Sequence, residues 1–243
     1  MKKMIPLHIK ILGFFLAFFL LVSCGRKAPP LPIEKSIPQV PGLSAEVEGQ
    51  AIKLLIDLPS QTSGGNYLTS LKALIIEKRE VFLDDPKKKE KRTEIKLKPM
   101  LHSAATLFIY TDEKVAPRRL YIYRVKAKKD FLVESPFSEE VRIYFRYPPK
   151  APVNLKVIEL YPPYYLLRFE PVYEDIKGLP LELPLEFSLE RIREGKSSHI
   201  DLKNKTEYTF TKEGEQKECF RVQARFRYFT TEIKGPFSRE LCF

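Results

Sequence analysis

The chain repeats itself once, at the spacing of a domain. Tyr123-Arg124-Val125-Lys126-Ala127 is followed by Ser135-Pro136-Phe137-Ser138-Glu139-Glu140-Val141, and Phe220-Arg221-Val222-Gln223-Ala224 by Gly235-Pro236-Phe237-Ser238-Arg239-Glu240-Leu241. Val125 and Val222 lie 97 positions apart and Ser138 and Ser238 lie 100 apart, so the second copy carries the longer loop. Upstream, Pro41-Gly42-Leu43-Ser44-Ala45-Glu46-Val47 parallels Pro152-Val153-Asn154-Leu155-Lys156-Val157. Leu54-Leu55-Ile56-Asp57-Leu58-Pro59 likewise parallels Leu166-Leu167-Arg168-Phe169-Glu170-Pro171. A period near 100 residues predicts two sandwich domains, not a solenoid of small units.

The local pattern agrees. Runs such as Ala51–Leu58, Glu94–Lys98 and Tyr121–Ala127 alternate apolar and polar residues, and turn formers separate them (Pro59, Ser60, Gly64, Gly65, Asn66; Asp84, Asp85, Pro86). No stretch carries a capped 3.6-residue pattern, and the β-branched centre of Ser70–Glu80 predicts a strand there too. The apolar content of 44% supports buried cores. With no Trp, the aromatic contribution falls to 17 Phe and 12 Tyr. The net charge of +11 reads as a solvated sheet face more than as a polyanion site, because basic residues alternate with acids, as in Glu77-Lys78-Arg79-Glu80.

With those residues in view, each copy resembles a fibronectin type III domain. It has a proline-led first strand, a second strand ending before Pro, an aromatic-x-Val-x-Ala strand, and Ser ahead of the last strand. The resemblance implies an all-β chain of two tandem immunoglobulin-like sandwiches, over residues 41–147 and 148–243. It places Tyr121 where that family has a corner tyrosine, whose hydroxyl pins the preceding loop. The second-strand Trp position is instead Ile56 or Leu58 in the first copy and Phe169 in the second. The second copy has Glu218 in place of the corner tyrosine, so that corner is expected to be held by other means. Pro148, Pro149 and Pro152 stiffen the joint.

The first 40 residues have a different character. Lys2, Lys3 and Lys10 precede an apolar run from Ile11 to Val22, followed by Ser23-Cys24-Gly25. This resembles a bacterial signal peptide ending in a lipobox, which implies removal of residues 1–23 and a diacylglycerol on Cys24 as the membrane anchor. The apolar run of about a dozen residues is short of the roughly 20 that span a bilayer. Loss of three lysines leaves the mature part at +8. Residues 24–40, with Pro29, Pro30, Pro32 and Pro38, read as a proline-rich tether reaching on the order of 50 Å at about 3.1 Å per residue. Gly25, not Asp, follows Cys24, which in a two-membrane envelope favours the outer membrane, periplasmic face, over the inner one. The opening Cys24–Pro32 also resembles small lipoproteins that assist the lipopolysaccharide-export pore, although Ala28 departs from their glycine.

Candidate sites are few. His8 leaves with the signal, and His102 and His199 have no partners at metal-ligand spacing. There is no phosphate loop, nucleophile elbow or HExxH. Ser138 and Ser238 read as residues that start a last strand. Cys219 and Cys242 form an even pair in an oxidising compartment. Period two puts both outward on what the resemblance implies are antiparallel neighbours, and predicts a cross-strand disulfide, the alternative being two free thiols. Lys87, Lys88, Lys89, Lys91 and Arg92 read as a solvated hairpin tip or as a contact to anionic headgroups. Tyr161, Tyr164, Tyr165, Tyr228 and Phe229 are candidate recognition aromatics.

Together these features predict a non-enzymatic binding or scaffolding module. It would be lipid-anchored in the cell envelope, with no cofactor beyond the lipid on Cys24, no metal and no nucleic-acid partner. Its partners would be the membrane and another envelope protein. Alternatives are an accessory factor for outer-membrane or lipopolysaccharide assembly, acting through Cys24–Pro32, and a carbohydrate-associated module stacking sugars on Tyr164, Tyr165, Tyr228 and Phe229.

Overall fold

The computed structural model describes residues 33–85, 87–99, 106–212, 214 and 216–243. The signal segment, Cys24, the start of the tether and His102 lie outside the described residues. After a helical turn (Ile33–Ser36), the first sandwich comprises β1 (Gly42–Glu48), β2 (Ala51–Asp57), β3 (Ala73–Phe82), β4 (Lys91–Leu97), β5 (Leu107–Asp112), β6 (Arg119–Lys128) and β7 (Val141–Phe145). The second comprises β8 (Val153–Tyr161), β9 (Tyr164–Glu170), β10 (Glu186–Arg193), β11 (Lys196–Lys203), β12 (Glu207–Thr211), β13 (Glu218–Tyr228), β14 (Thr231–Phe237) and β15 (Leu241–Cys242). The first packs a sheet of order β1-β2-β5 against one of order β4-β3-β6-β7. The second packs β12-β9-β8 against β11-β10-β13-β14, with β15 also on β13. Both are antiparallel sandwiches, as the repeat predicts. Among the described residues, no helix is long and apolar enough to cross a membrane.

The alternation works as period two requires. In β6, Tyr121, Tyr123, Val125 and Ala127 point into the core at 0% exposure, and Phe220, Val222 and Ala224 do the same in β13. Ile56 and Leu58, the candidates for the family's Trp position in the first copy, and Phe169 in the second are all buried, and Leu58 and Phe169 make matching backbone hydrogen bonds to Thr106 O and Thr206 O. The outward residues between them form a shared device. Glu77 pairs with Arg124 and Glu190 with Arg221 across neighbouring strands. Each arginine then lies over the phenylalanine of its Pro-Phe-Ser motif, Arg124 at 4.2 Å from the Phe137 ring and Arg221 at 4.3 Å from Phe237. The serines do more than turn the chain. Ser138 Oγ accepts from Val125 N–H at 3.0 Å and Ser238 Oγ from Val222 N–H at 2.9 Å, so each satisfies a buried strand donor at the point where the last strand separates.

The segment before β1 is less free than the composition suggests. Gln39 N–H donates to Gln61 O and Ser63 N–H to Ile37 O, while Pro38 bridges to Thr62. In the second copy, Lys150 N–H donates to Glu174 O and Ile176 N–H to Pro148 O, and Pro149 bridges to Asp175. The two loops after the second strands share one conformation, down to Gly65 and Gly178, both at φ 80°. That left-handed value is one that glycine reaches without strain. Residues 37–39 therefore play the part of the inter-sandwich linker 148–150.

The joint is packed as well as proline-stiffened. Phe226 and Ile233 of the second sandwich belong to the same apolar cluster as Val47, Ile143 and Phe145 of the first, and Leu185 touches both cores. The hairpin of β13 and β14 supplies the clamp. Thr231 Oγ1 accepts from Tyr144 N–H at 2.8 Å, Phe229 stacks on Tyr144 with centroids 4.6 Å apart, and Arg146 lies over Tyr228. Gly235 is required because a Cβ there would meet Pro149 O at 2.4 Å; the matching position in the first copy is Ser135. Residues Glu34–Phe243 form one compact body.

Candidate functional site

Cys219 and Cys242 face each other in register between β13 and β15 and are joined, with S–S 2.05 Å and Cα–Cα 4.0 Å. The flanking pair, Glu218 and Phe243, exchanges both backbone hydrogen bonds, so the cysteines occupy the closer, non-hydrogen-bonded register position. Their sulfurs lie near the Glu240 carboxylate. As disulfide sulfurs they are not thiolates and do not make a metal site of that trio.

The basic run occupies the β3–β4 hairpin and the start of β4. Lys87, Lys88 and Lys89 are exposed, with Lys88 Nζ 4.0 Å from the Phe82 ring. Arg92 is paired with Glu90 at 3.0 Å, and Asp84 and Asp85 immediately precede the run. Strand directions place this hairpin at the end of the first sandwich that bears β7's exit toward the joint, opposite the end that receives the N-terminal segment.

The five aromatics do not form one surface. Tyr161 and Tyr164 close the β8–β9 hairpin with ring centroids 5.0 Å apart, both exposed. Tyr165 turns inward against Phe210 and Phe243. Tyr228 and Phe229 lie at the opposite end of β13, where they pack on the first sandwich. Eleven residues of β13 at about 3.3 Å each separate the two groups by roughly 30 Å. A single sugar-stacking platform of Tyr164, Tyr165, Tyr228 and Phe229 is therefore ruled out by the hairpin's reach. Sequence reasoning sees these rings but not that the longer loop of the second copy is itself a strand pair aimed at its neighbour. The signal for that is the alternation on either side of Phe229-Thr230.

Each sandwich buries one charged cluster that its sequence pattern conceals. In the first, Lys78 Nζ lies 2.5 Å from Asp112 Oδ2, donates to Lys114 O at 2.7 Å and sits over the Tyr121 ring. Tyr123 O–H also donates to Asp112 Oδ2 at 2.8 Å, and Tyr121 Oη accepts from Ala116 N–H at 2.8 Å, making the corner that the resemblance implies. Burial pushes the Lys78 pKa down against the pull of Asp112, and pushes the Tyr121 and Tyr123 hydroxyls up. In the second, Glu218 takes the place of Tyr121 and receives Arg191 Nε at 2.8 Å and Arg193 Nε at 2.6 Å; Arg191 also donates to Thr211 O. Every group in the two clusters is partnered within the fold, so each reads as a structural lock.

A cleft of about 770 Å³ opens at the joint between β1, β7 and β14, each an outer strand of its sheet. Val47, Ile143 and Ile176 line it, with Glu46, Glu48 and Glu232 at its sides. Those acids are held by Lys53, Arg225 and Lys234, so the cleft presents shape and strand edges instead of reactive groups.

No family model and no curated protein matches the sequence. Among solved structures, the chain is similar to the crystal structure of the chicken CNTN1 FN1–FN3 domains, with a TM-score of 0.48 and 14% identity over 85% of this chain and 67% of that one. Strand order, the Tyr121 corner and the paired serines make this an all-β chain of two fibronectin type III-like sandwiches.

Proposed function

We propose that the chain is a lipid-anchored envelope protein whose two sandwiches act as one stiff, non-enzymatic arm that binds or positions a neighbouring protein. The observation that carries this reading is the packed joint. A linker alone would let two domains swing, whereas a shared apolar cluster, a hydrogen bond and stacked rings across the joint hold one relative orientation. A stiff arm on a short tether raises the local concentration of its binding face for a partner in the same membrane. The residue pattern at Cys24 supports the anchor, and Gly25 supports residence in the outer membrane facing the periplasm. Cross-linking in intact envelopes followed by mass spectrometry tests the function. The expected result is a reproducible envelope protein cross-linked to the sandwiches together with acylation of the Cys24 peptide. An unmodified Cys24 peptide would remove the anchor, and cross-links spread at random over abundant proteins would remove the binding role.

A further inference from the structure

Among the described residues, Leu132 at 83%, Tyr67 at 81% and Phe131 at 72%, a value shared with Tyr173 of the second sandwich, are the most exposed large apolar side chains. All three occupy loops at one end of the first sandwich. Tyr67 lies in the β2–β3 loop, and Phe131-Leu132 form the tip of the β6–β7 loop. The two loops are tied at their bases by Lys72 N–H donating to Lys128 O. The N-terminal segment enters at this same end, where Gly64 N–H donates to Lys35 O. Lysines surround the apolar tips: Lys72 and Lys128 each lie 5.7 Å from the Phe131 ring, with Lys35 and Lys129 exposed or half-exposed beside them. Among the acids at this end, Asp130 caps Phe131 N–H and Glu134 is held by Lys126 and Lys128, while Asp57 is exposed at the end of β2 and Glu34 precedes Lys35.

The second copy shows what this end of such a sandwich does. Its Tyr228-Phe229 tip, on the loop that matches Phe131-Leu132, packs on the body that precedes it in the chain. The matching face of the first sandwich has aromatic and leucine tips of the same kind and nothing described in front of it. What precedes it in the chain is a segment of 17 residues or fewer from Cys24 to the first sandwich.

We infer that this face is a membrane-docking surface. Phe131, Leu132 and Tyr67 would enter the interfacial zone of a bilayer, and Lys35, Lys72 and Lys129 would rest on anionic headgroups. Apolar tips ringed by lysines fit a bilayer interface, because the rings and leucine gain from burial while ammonium groups stay at headgroup level. A carbohydrate would use the lysines but leave Leu132 without a place. The inference rests on the anchored reading for its geometry, since a short segment from a lipidated Cys24 brings this end of the arm to the surface.

The absence of Trp makes the test direct, because a single introduced indole reports alone. Full-length protein carrying Phe131→Trp, or Tyr161→Trp at the far tip as a control, is purified from membranes. It is then reconstituted into vesicles of phosphatidylcholine and phosphatidylglycerol with bromine-labelled acyl chains. The Phe131→Trp protein is expected to shift its emission to the blue and be quenched, while the Tyr161→Trp protein keeps the emission of water-exposed indole. Adding Lys72→Gln or Lys129→Gln to the Phe131→Trp protein lowers the ratio of quenched to unquenched indole by roughly fivefold per lysine, since each contributes about 1 kcal/mol at an anionic surface. Intact-mass analysis of the Cys24 peptide separates the two ideas. Quenching of the Phe131→Trp protein without acylation of Cys24 leaves the face standing and removes the anchor. Acylated, vesicle-bound Phe131→Trp protein that emits like the Tyr161→Trp control overturns the docking face. An indole at this position that is shielded in native envelopes but not quenched by brominated lipid also overturns it, in favour of a protein neighbour.

Discussion

In both sandwiches a cation stands at the same place on the third strand, buried Lys78 in the first and partly buried Arg191 in the second, and each lies beside a buried carboxylate. The carboxylate comes from a different strand each time. Asp112 of β5 serves Lys78, whereas Glu218 of β13 serves Arg191. That exchange explains why the second copy dispenses with the corner tyrosine. Glu218 occupies the Tyr121 position because Arg191 needs its charge met from that side, and Arg193, facing Glu218 across the strands, closes the other carboxylate oxygen. In the first copy the same register pair is Glu80 and Tyr121, and Glu80, itself buried, pairs with Arg119. The repeat preserves the role of closing the sandwich end and varies the residues that fill it. The disulfide belongs to the same difference: the copy without a tyrosine corner is the one whose last strand is bonded to its neighbour.

Glu218 is where the two copies should part most widely. Replacing it with Ala leaves Arg191, whose side chain is only 15% exposed, without a counter-charge, and the second sandwich should lose about 3–5 kcal/mol while the first is unaffected. Chemical denaturation followed by probes in each sandwich reads this, and equal loss in both would contradict separate locks. Next is the Cys219→Ser, Cys242→Ser pair. A loop closed over 23 residues contributes about 3 kcal/mol on the chain-entropy account, seen as a lowered denaturation midpoint under non-reducing conditions. A reductant should reproduce it in the parent protein, and two free thiols on labelling would show that the bond does not form. Tyr121→Phe is smaller, about 1–3 kcal/mol, because it removes the acceptor of Ala116 N–H and leaves the ring packed.

The mildest test treats the two copies alike. Arg124 beside Glu77 and Arg221 beside Glu190 hold both carboxyls below the ordinary 4.5. A depressed carboxyl pKa contributes stability that is present above the unfolded value and lost as pH falls through the folded one. Acid titration of Glu77→Gln and Glu190→Gln should therefore show lower stability than the parent near neutrality, converging with it at low pH. Curves that stay parallel would exclude these pairs as the source.

How much was legible follows from the range of each interaction. Strand pairing leaves period-two patterns, and a doubled fold leaves doubled motifs, so Val125, Val222 and the paired serines announce two sandwiches. The outward placement of Cys219 and Cys242 follows from the same period. The buried clusters are different. Lys78 sits in the charged run Glu77–Glu80, and only its partner on β5, 34 residues on, makes it a core residue. The clamp is hidden for the same reason: Phe229 adopts φ 54° in a two-residue turn, and its stacking partner Tyr144 belongs to the other sandwich. The exposure of Phe131-Leu132 is likewise a property of the assembled end, not of its local sequence.

Tyr144 reports whether the two sandwiches move as one body, on which the stiff arm depends. Its amide lies on the outer strand β7 and is bonded across the joint to Thr231 Oγ1. Site-resolved hydrogen exchange on the whole protein should find Tyr144 slowed to the level of amides inside the sheets, and Thr231→Val should release it. Exchange of Tyr144 in the parent protein at the rate of a solvent-exposed edge amide would show that the joint opens freely, and the stiff arm would have to be abandoned.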